Sequence, residues 1–192
     1  MTLPNKITLF RFVLAAGAVS LLLLEGIPHR FVWAFALFVL ASFSDYIDGI
    51  LARRMRATSE LGAFMDPLAD KMLILLVFAV LMTMGLYPLW LFVCILARDL
   101  LNDSYRNFAA SQRVILGTNP SGKAKTLLQM ISISVMLLVL VQWHEIPAIF
   151  SAEVSLLLLQ LANLMMFVAL VVGAAGTVQF ISKHSRIITG NE

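Results

Sequence analysis

The chain is poor in charge, cysteine and histidine. Of its 192 residues only 13% are charged, one is cysteine and three are histidine. A single cysteine, Cys94, excludes an internal disulfide, and its place in an apolar run marks it as a packing residue. His29, His144 and His184 lack metal-ligand spacing and fall in loops or tails, where they read as solvated side chains. No repeat, low-complexity tract or heptad seam stands out, and no polar stretch is long enough for a soluble domain. One domain over residues 1–192 is the simplest organisation.

What fills the chain instead is apolar. Hydrophobic residues make up 60% of it and fall in long runs rather than in the stripes of a soluble core. A membrane span needs about 20 such residues. Six segments qualify: Thr8 to Leu24, Phe31 to Ala52, Gly62 to Met84, Pro88 to about Ala110, Thr126 to Gln142, and Val154 to Ser182. The small residues Ala15, Ala16, Gly17 and Ala18 lie inside the first run rather than after it, which argues for a span and against a signal peptide.

The basic residues set the orientation, because Lys and Arg near span ends favour the cytoplasmic side. Lys6 and Arg11, then Arg53, Arg54 and Arg56, then Arg113, Lys123 and Lys125, and finally Lys183 and Arg186 fall on one side; Arg30 alone falls on the other. An all-α membrane protein is expected, with six transmembrane helices, both termini in the cytoplasm and a polar cavity facing it. The net charge of +3 reflects this asymmetry and attraction to anionic membrane lipid, not an affinity for nucleic acid.

Four aspartates break the apolar pattern in SDYIDGILARRMRATSELGAFMDPLADK, residues 44–71. Asp45 and Asp48 are three apart, Asp66 and Asp70 four apart, so each pair shares a helical face. The pairs flank a short polar link, and antiparallel neighbours joined so closely are expected to pack and gather the four carboxylates. A charge at the centre of a span costs roughly 2.5 to 3.5 kcal/mol, less toward the interface. Arg53 and Lys71 offset two charges at most. Hard divalent cations are the natural remedy, Mg²⁺ or Mn²⁺ if phosphate is involved, and four carboxylates can hold two ions. Gly49, Ala52 and Gly62 leave the helix surfaces beside the acids bare, and Arg53 at the rim can grip a phosphate in bidentate fashion. A diphosphate substrate follows.

Asp45, Asp48, Gly49, Ala52, Arg53, Gly62, Asp66 and Asp70 resemble, without a missing position, the signature of the CDP-alcohol phosphatidyltransferases. The resemblance implies a six-helix membrane enzyme, usually a homodimer, with a two-metal site on the cytoplasmic side. Such enzymes move a phosphatidyl group from a CDP-linked lipid, here CDP-diacylglycerol, to an alcohol and release CMP. It also implies that the four aspartates are metal ligands, that Asp70 is the general base, and that Gly49, Ala52, Arg53 and Gly62 line the nucleotide site. Asn5 and Thr8 resemble positions lining the same pocket, although helix capping alone also accounts for them. A bacterial inner (plasma) membrane is the implied location.

The acceptor is read from the polar residues of the fourth span. In ARDLLNDSYRNFAASQR, Asp99, Asn102, Asp103 and Arg106 recur along one stripe, which must face a cavity. Arg113, Lys123 and Lys125 follow closely, and with Arg106 they suit a small phosphorylated acceptor. RDLLNDSYR, SGKAKTLLQM and LPNKITLFR are similar to segments of the bacterial phosphatidylglycerophosphate synthases of this family, whose acceptor is sn-glycerol 3-phosphate. The Arg98-Asp99 pair also occurs in the family's cardiolipin synthases, whose acceptor is phosphatidylglycerol; Arg106 favours glycerol 3-phosphate, since those enzymes are generally apolar there. For Arg113, and less so for Lys123 and Lys125, plain positive-inside charge is the competing reading. A different class, a divalent-cation transporter, also uses acids within spans, but would place them near mid-membrane and show inverted halves; a third, a non-catalytic membrane scaffold, would not need Asp70.

Overall fold

The computed structural model describes the backbone of residues 3–55, 60–111, 120–146 and 150–183, and within these all side chains except those of 3–8, 45–55, 60–70, 110, 120, 121, 180 and 183. Among the described residues the chain is six α-helices and no strand: α1 (Leu3–Leu23), α2 (Arg30–Met55), α3 (Glu60–Thr83), α4 (Leu89–Ser111), α5 (Pro120–His144) and α6 (Ala152–Lys183). The helix count matches the six apolar runs. The boundaries differ most at α1 and α5, which start at Leu3 and Pro120 rather than at Thr8 and Thr126. Helical hydrogen bonding continues into polar residues that the apolar run does not mark, and proline is well suited to a first helical position, where its missing N–H costs nothing.

Even the shortest helix, α1, has 21 residues, a rise of about 31 Å, comparable to a bilayer's hydrocarbon core of about 30 Å. Two segments, Gly122–His144 and Ala152–Gln179, are long and apolar enough to cross a membrane by composition alone. Large apolar side chains cover the outside, among them Phe43, Leu100, Leu101, Leu127, Leu157 and Val178. A surface of this kind suits a hydrocarbon surround. Cys94 also lies on an exposed face, of α4, and not among the packing residues.

The core forms where helical spacing turns apolar residues inward. Among the described residues, the buried apolar ones in α2 are Phe31, Ala34, Phe38 and Ala41, and in α1 Leu14, Ala15, Ala18 and Leu22. Small residues in these stripes let backbones approach: a Cβ added to Gly17 would stand 3.1 Å from Leu37 Cδ1. Helix α1 packs on both α2 and α3, whereas α2 and α3, expected to lie along each other, touch only lightly among the described residues. The narrow face of α1 explains this, since Ala15 and Ala18 admit a neighbour on either side. Helix α5 packs chiefly on α6 and also on α2, and α4 leans on α6.

The turn joining α3 to α4 closes with a Schellman pair. The Leu86 N–H donates to Leu81 O (3.1 Å) and the Gly85 N–H to Met82 O (2.9 Å), with Gly85 at φ 78°, a conformation that favours glycine. Beside it Tyr87 donates to Ser132 Oγ (2.7 Å), and Ser132 donates in turn to Ala162 O (2.6 Å). Burial pushes the Tyr87 hydroxyl well above its ordinary range, so the phenol remains a donor. At the same end of the bundle Glu145, just past α5, accepts from the Phe31 N–H (2.6 Å) and so caps α2. His29 and His144, expected to be merely solvated, take part here: His29 Nδ1 is 3.4 Å from Glu145 Oε2, and the His144 ring lies 4.6 Å from that of Phe31.

Candidate functional site

Short connections make the six helices alternate in direction, so the N-terminal ends of α3 and α5 share one end of the bundle with the C-terminal ends of α2, α4 and α6. The polar side chains collect in that half. Asp99 of α4 is buried and holds two cations. Lys125 Nζ, from α5, donates to both its carboxylate oxygens (2.7 and 2.8 Å), and Arg98 Nη1 donates to Oδ1 (2.7 Å). The second Arg98 arm reaches α6 and donates to Gly173 O (2.6 Å). One carboxylate therefore ties three helices together. Lys71 of α3 bonds Asp103, one turn beyond Asp99 on α4.

Gly173 makes the knot possible. A Cβ at that position would lie 2.9 Å from Arg98 Cζ and 3.0 Å from Lys125 Cδ, closer than packed atoms approach. The bare backbone lets both cationic side chains approach α6, and the buried Gly173 carbonyl receives Arg98.

A cavity of about 170 Å³ opens between α3, α4 and α5, lined by Lys71, Ile74, Leu75, Asp99, Lys125, Thr126 and Gln129. Around it, among the described residues, three cations, Lys71, Arg98 and Lys125, face two carboxylates, Asp99 and Asp103, one positive charge in excess. In a low-dielectric interior such an excess attracts an anion. Of the stripe expected on α4, Asp99 lines this cavity, and Asp103 bonds Lys71 on its wall.

The residues singled out in the sequence distribute as follows. Asp45, Asp48, Gly49, Ala52 and Arg53 lie in the last turns of α2, and Gly62, Asp66 and Asp70 in the first turns of α3; the backbone runs as unbroken helix through each set. Asn5 and Thr8 lie in the first turns of α1. The side chains of all ten are outside the described residues, as is Arg113 entirely. Arg106 and Lys123 are exposed, and Lys125 is buried against Asp99. Among the described residues no group of three metal-binding side chains occurs. The donor chemistry of the four aspartates, hard oxygens on two adjoining helix ends, fits Mg²⁺ or Mn²⁺.

Four residues, Arg11, Gln129, Arg98 and Gly173, take places that the sequence did not give them. Arg11, taken as an orienting surface charge, is only 1% exposed and faces the interior. Gln129, also 1% exposed, lies one turn deeper than Lys125 on the same face of α5, a four-residue spacing that could have drawn attention to it. Arg98 and Gly173 sit 75 residues apart in sequence, and no local pattern links them.

Residues 1–178 match the model of the CDP-alcohol phosphatidyltransferase family, and the chain belongs to that family. It is 33% identical over 156 residues to the CDP-diacylglycerol–glycerol-3-phosphate 3-phosphatidyltransferase of Bacillus subtilis, covering 76% of this chain and 78% of that protein. The protein of the same name from Mycoplasma pneumoniae is 35% identical over 148 residues, 68% of this chain and 65% of that protein, so the match spans slightly under two thirds of its length. A probable phosphatidylglycerophosphate synthase of Mycobacterium tuberculosis (strain H37Rv) is 34% identical over 158 residues, covering 81% of this chain and 75% of that protein. With its apolar exterior, the chain is a membrane-associated transferase.

Proposed function

We infer that the protein transfers the phosphatidyl group of CDP-diacylglycerol to sn-glycerol 3-phosphate, giving phosphatidylglycerophosphate and CMP. The observation that carries the reading is the cavity with an excess of positive charge among its described residues, whose wall includes Lys71, the residue directly after Asp70. An anionic acceptor held there lies beside the helix that bears the proposed base. The names of the relatives favour the same substrates.

In this reading Asp45, Asp48, Asp66 and Asp70 would hold two divalent cations, Mg²⁺ or Mn²⁺. When bound, such ions neutralise a diphosphate and lower the pKa of a coordinated hydroxyl. Arg53, with the bare surface at Gly49, Ala52 and Gly62, receives the nucleotide phosphates, and Asn5 and Thr8 line the same pocket. Arg106, Arg113, Lys123 and Lys125 draw in the acceptor phosphate. Asp70 takes the proton from the C1 hydroxyl as its oxygen bonds to the phosphatidyl phosphorus, and the P–O bond to CMP breaks.

The helix lengths and the one-sided basic residues support six spans with both termini in the cytoplasm and a cavity open to that side; the family resemblance favours a bacterial plasma membrane as the location and a homodimer as the working unit. The test is turnover by purified protein supplied with CDP-diacylglycerol, Mn²⁺ and glycerol 3-phosphate. CMP release with phosphatidylglycerophosphate as product is expected. Product only with phosphatidylglycerol as acceptor would make it a cardiolipin synthase, and no CMP with any alcohol would favour a cation transporter.

A further inference from the structure

We propose that Gln129 is a specificity-determining residue that reads the unreactive C2 hydroxyl of the acceptor's glycerol unit, held in the cavity between α3, α4 and α5. The inference rests on the function proposed above and names the part of that site which distinguishes glycerol from other short phosphorylated alcohols.

Three observations converge. First, Gln129 is 1% exposed and lines the cavity, yet its side-chain Nε2 finds no hydrogen-bond partner in the protein. Buried amides are almost always satisfied, and an orphaned one calls for an occupant. Second, the other polar groups on the wall are already engaged: Lys125 with Asp99 and Lys71 with Asp103. Gln129 is left as the neutral group without a fixed partner. A hydroxyl suits it in either amide orientation, because a hydroxyl both donates and accepts. Third, the size fits. A dry protein cavity of about 150 Å³ holds benzene, with six non-hydrogen atoms; glycerol also has six, and this cavity measures about 170 Å³.

The placement along α5 gives the acceptor a direction. Lys123 and Lys125 lie nearer the start of the helix, and Gln129 is four residues beyond Lys125, a rise of about 6 Å. A phosphate near the lysines places the three-carbon chain along the wall toward Gln129 and Lys71, and Lys71 follows Asp70 in sequence. The C2 hydroxyl meets the amide while the C1 hydroxyl remains free to react.

The experiment compares two acceptors, glycerol 3-phosphate and 3-hydroxypropyl phosphate, which lacks only the C2 hydroxyl, in the wild type and in Gln129→Met, a swap that keeps the length of the side chain and removes its hydrogen bonds. The wild type should prefer glycerol 3-phosphate by about tenfold or more in kcat/KM, the usual consequence of leaving one buried polar group unmatched. Gln129→Met should lose most of that preference, with the rate on 3-hydroxypropyl phosphate and the KM for CDP-diacylglycerol within about twofold of wild type. Equal use of both acceptors by the wild type, or an equal loss on both in Gln129→Met, overturns the proposal. Should that variant not fold, Gln129→Asn, which withdraws the amide by one methylene, is expected to give an intermediate preference, and an unaltered preference overturns it equally. A wild type that releases CMP with neither acceptor sinks the functional reading, and the glycerol subsite with it.

Discussion

The ammonium of Lys125 lies 2.7 and 2.8 Å from the two carboxylate oxygens of Asp99, and both side chains are nearly out of reach of solvent, at 10% and 7% exposure. Because Arg98 shares the same carboxylate, Asp99 balances two cations inside an apolar bundle. Asp99→Asn strands both. A loss of about 3–5 kcal/mol in stability is expected, the usual consequence of removing one member of a buried ion pair, read as a large fall in melting temperature in detergent. Combining it with Lys125→Met should recover part of that loss without restoring turnover; a fully additive double variant would argue against the pairing.

Gly173 is the tightest point of the same knot. Gly173→Ala forces a Cβ to within 2.9 Å of the Arg98 guanidinium carbon, so α6 must withdraw or both cations must shift. About 1–3 kcal/mol of destabilisation is expected, with a raised KM for the acceptor. Gly122→Ala is the control, since nothing lies within 4 Å of its added Cβ; that change should be neutral or slightly stabilising by melting temperature.

Asp66→Asn and Asp70→Asn should each abolish CMP release while the protein still inserts and keeps its helical circular dichroism. Chelation should silence the wild type and Mn²⁺ or Mg²⁺ restore it. Measurable turnover by Asp70→Asn at saturating metal would remove Asp70 as the base.

Arg106 is exposed near the end of α4, and its proposed work is on the acceptor phosphate. Arg106→Ala should raise the KM for glycerol 3-phosphate about tenfold, as expected for a lost charge-assisted hydrogen bond, with kcat nearly kept. An unchanged KM would exclude it from the phosphate site.

Glu145 tests the opposite end of the bundle. Its carboxylate caps α2 through the Phe31 N–H, far along the helices from the polar half. Glu145→Ala should cost about 1–2 kcal/mol of stability and leave kcat/KM for both substrates as in the wild type.

Much of this protein was determined locally. Apolar runs about as long as a bilayer is thick produce helices wherever backbone polar groups must satisfy themselves, so six helices were legible from composition and spacing alone. The aspartate pairs are equally local, because separations of three and four residues share a helical face whatever surrounds them. The partners of charges are not local. That Lys125 meets Asp99, that Lys71 meets Asp103, that Arg98 finds the carbonyl of Gly173 and that α1 lies against both α2 and α3 depend on how helices cross and in what register. Periodicity marks which side of a helix is apolar or polar, but crossing is decided by the volumes of the side chains that meet, and a residue as small as Gly173 or Ala18 acts only through the neighbour it admits. For that reason the isolated amide of Gln129 emerged only when the helices were assembled around it.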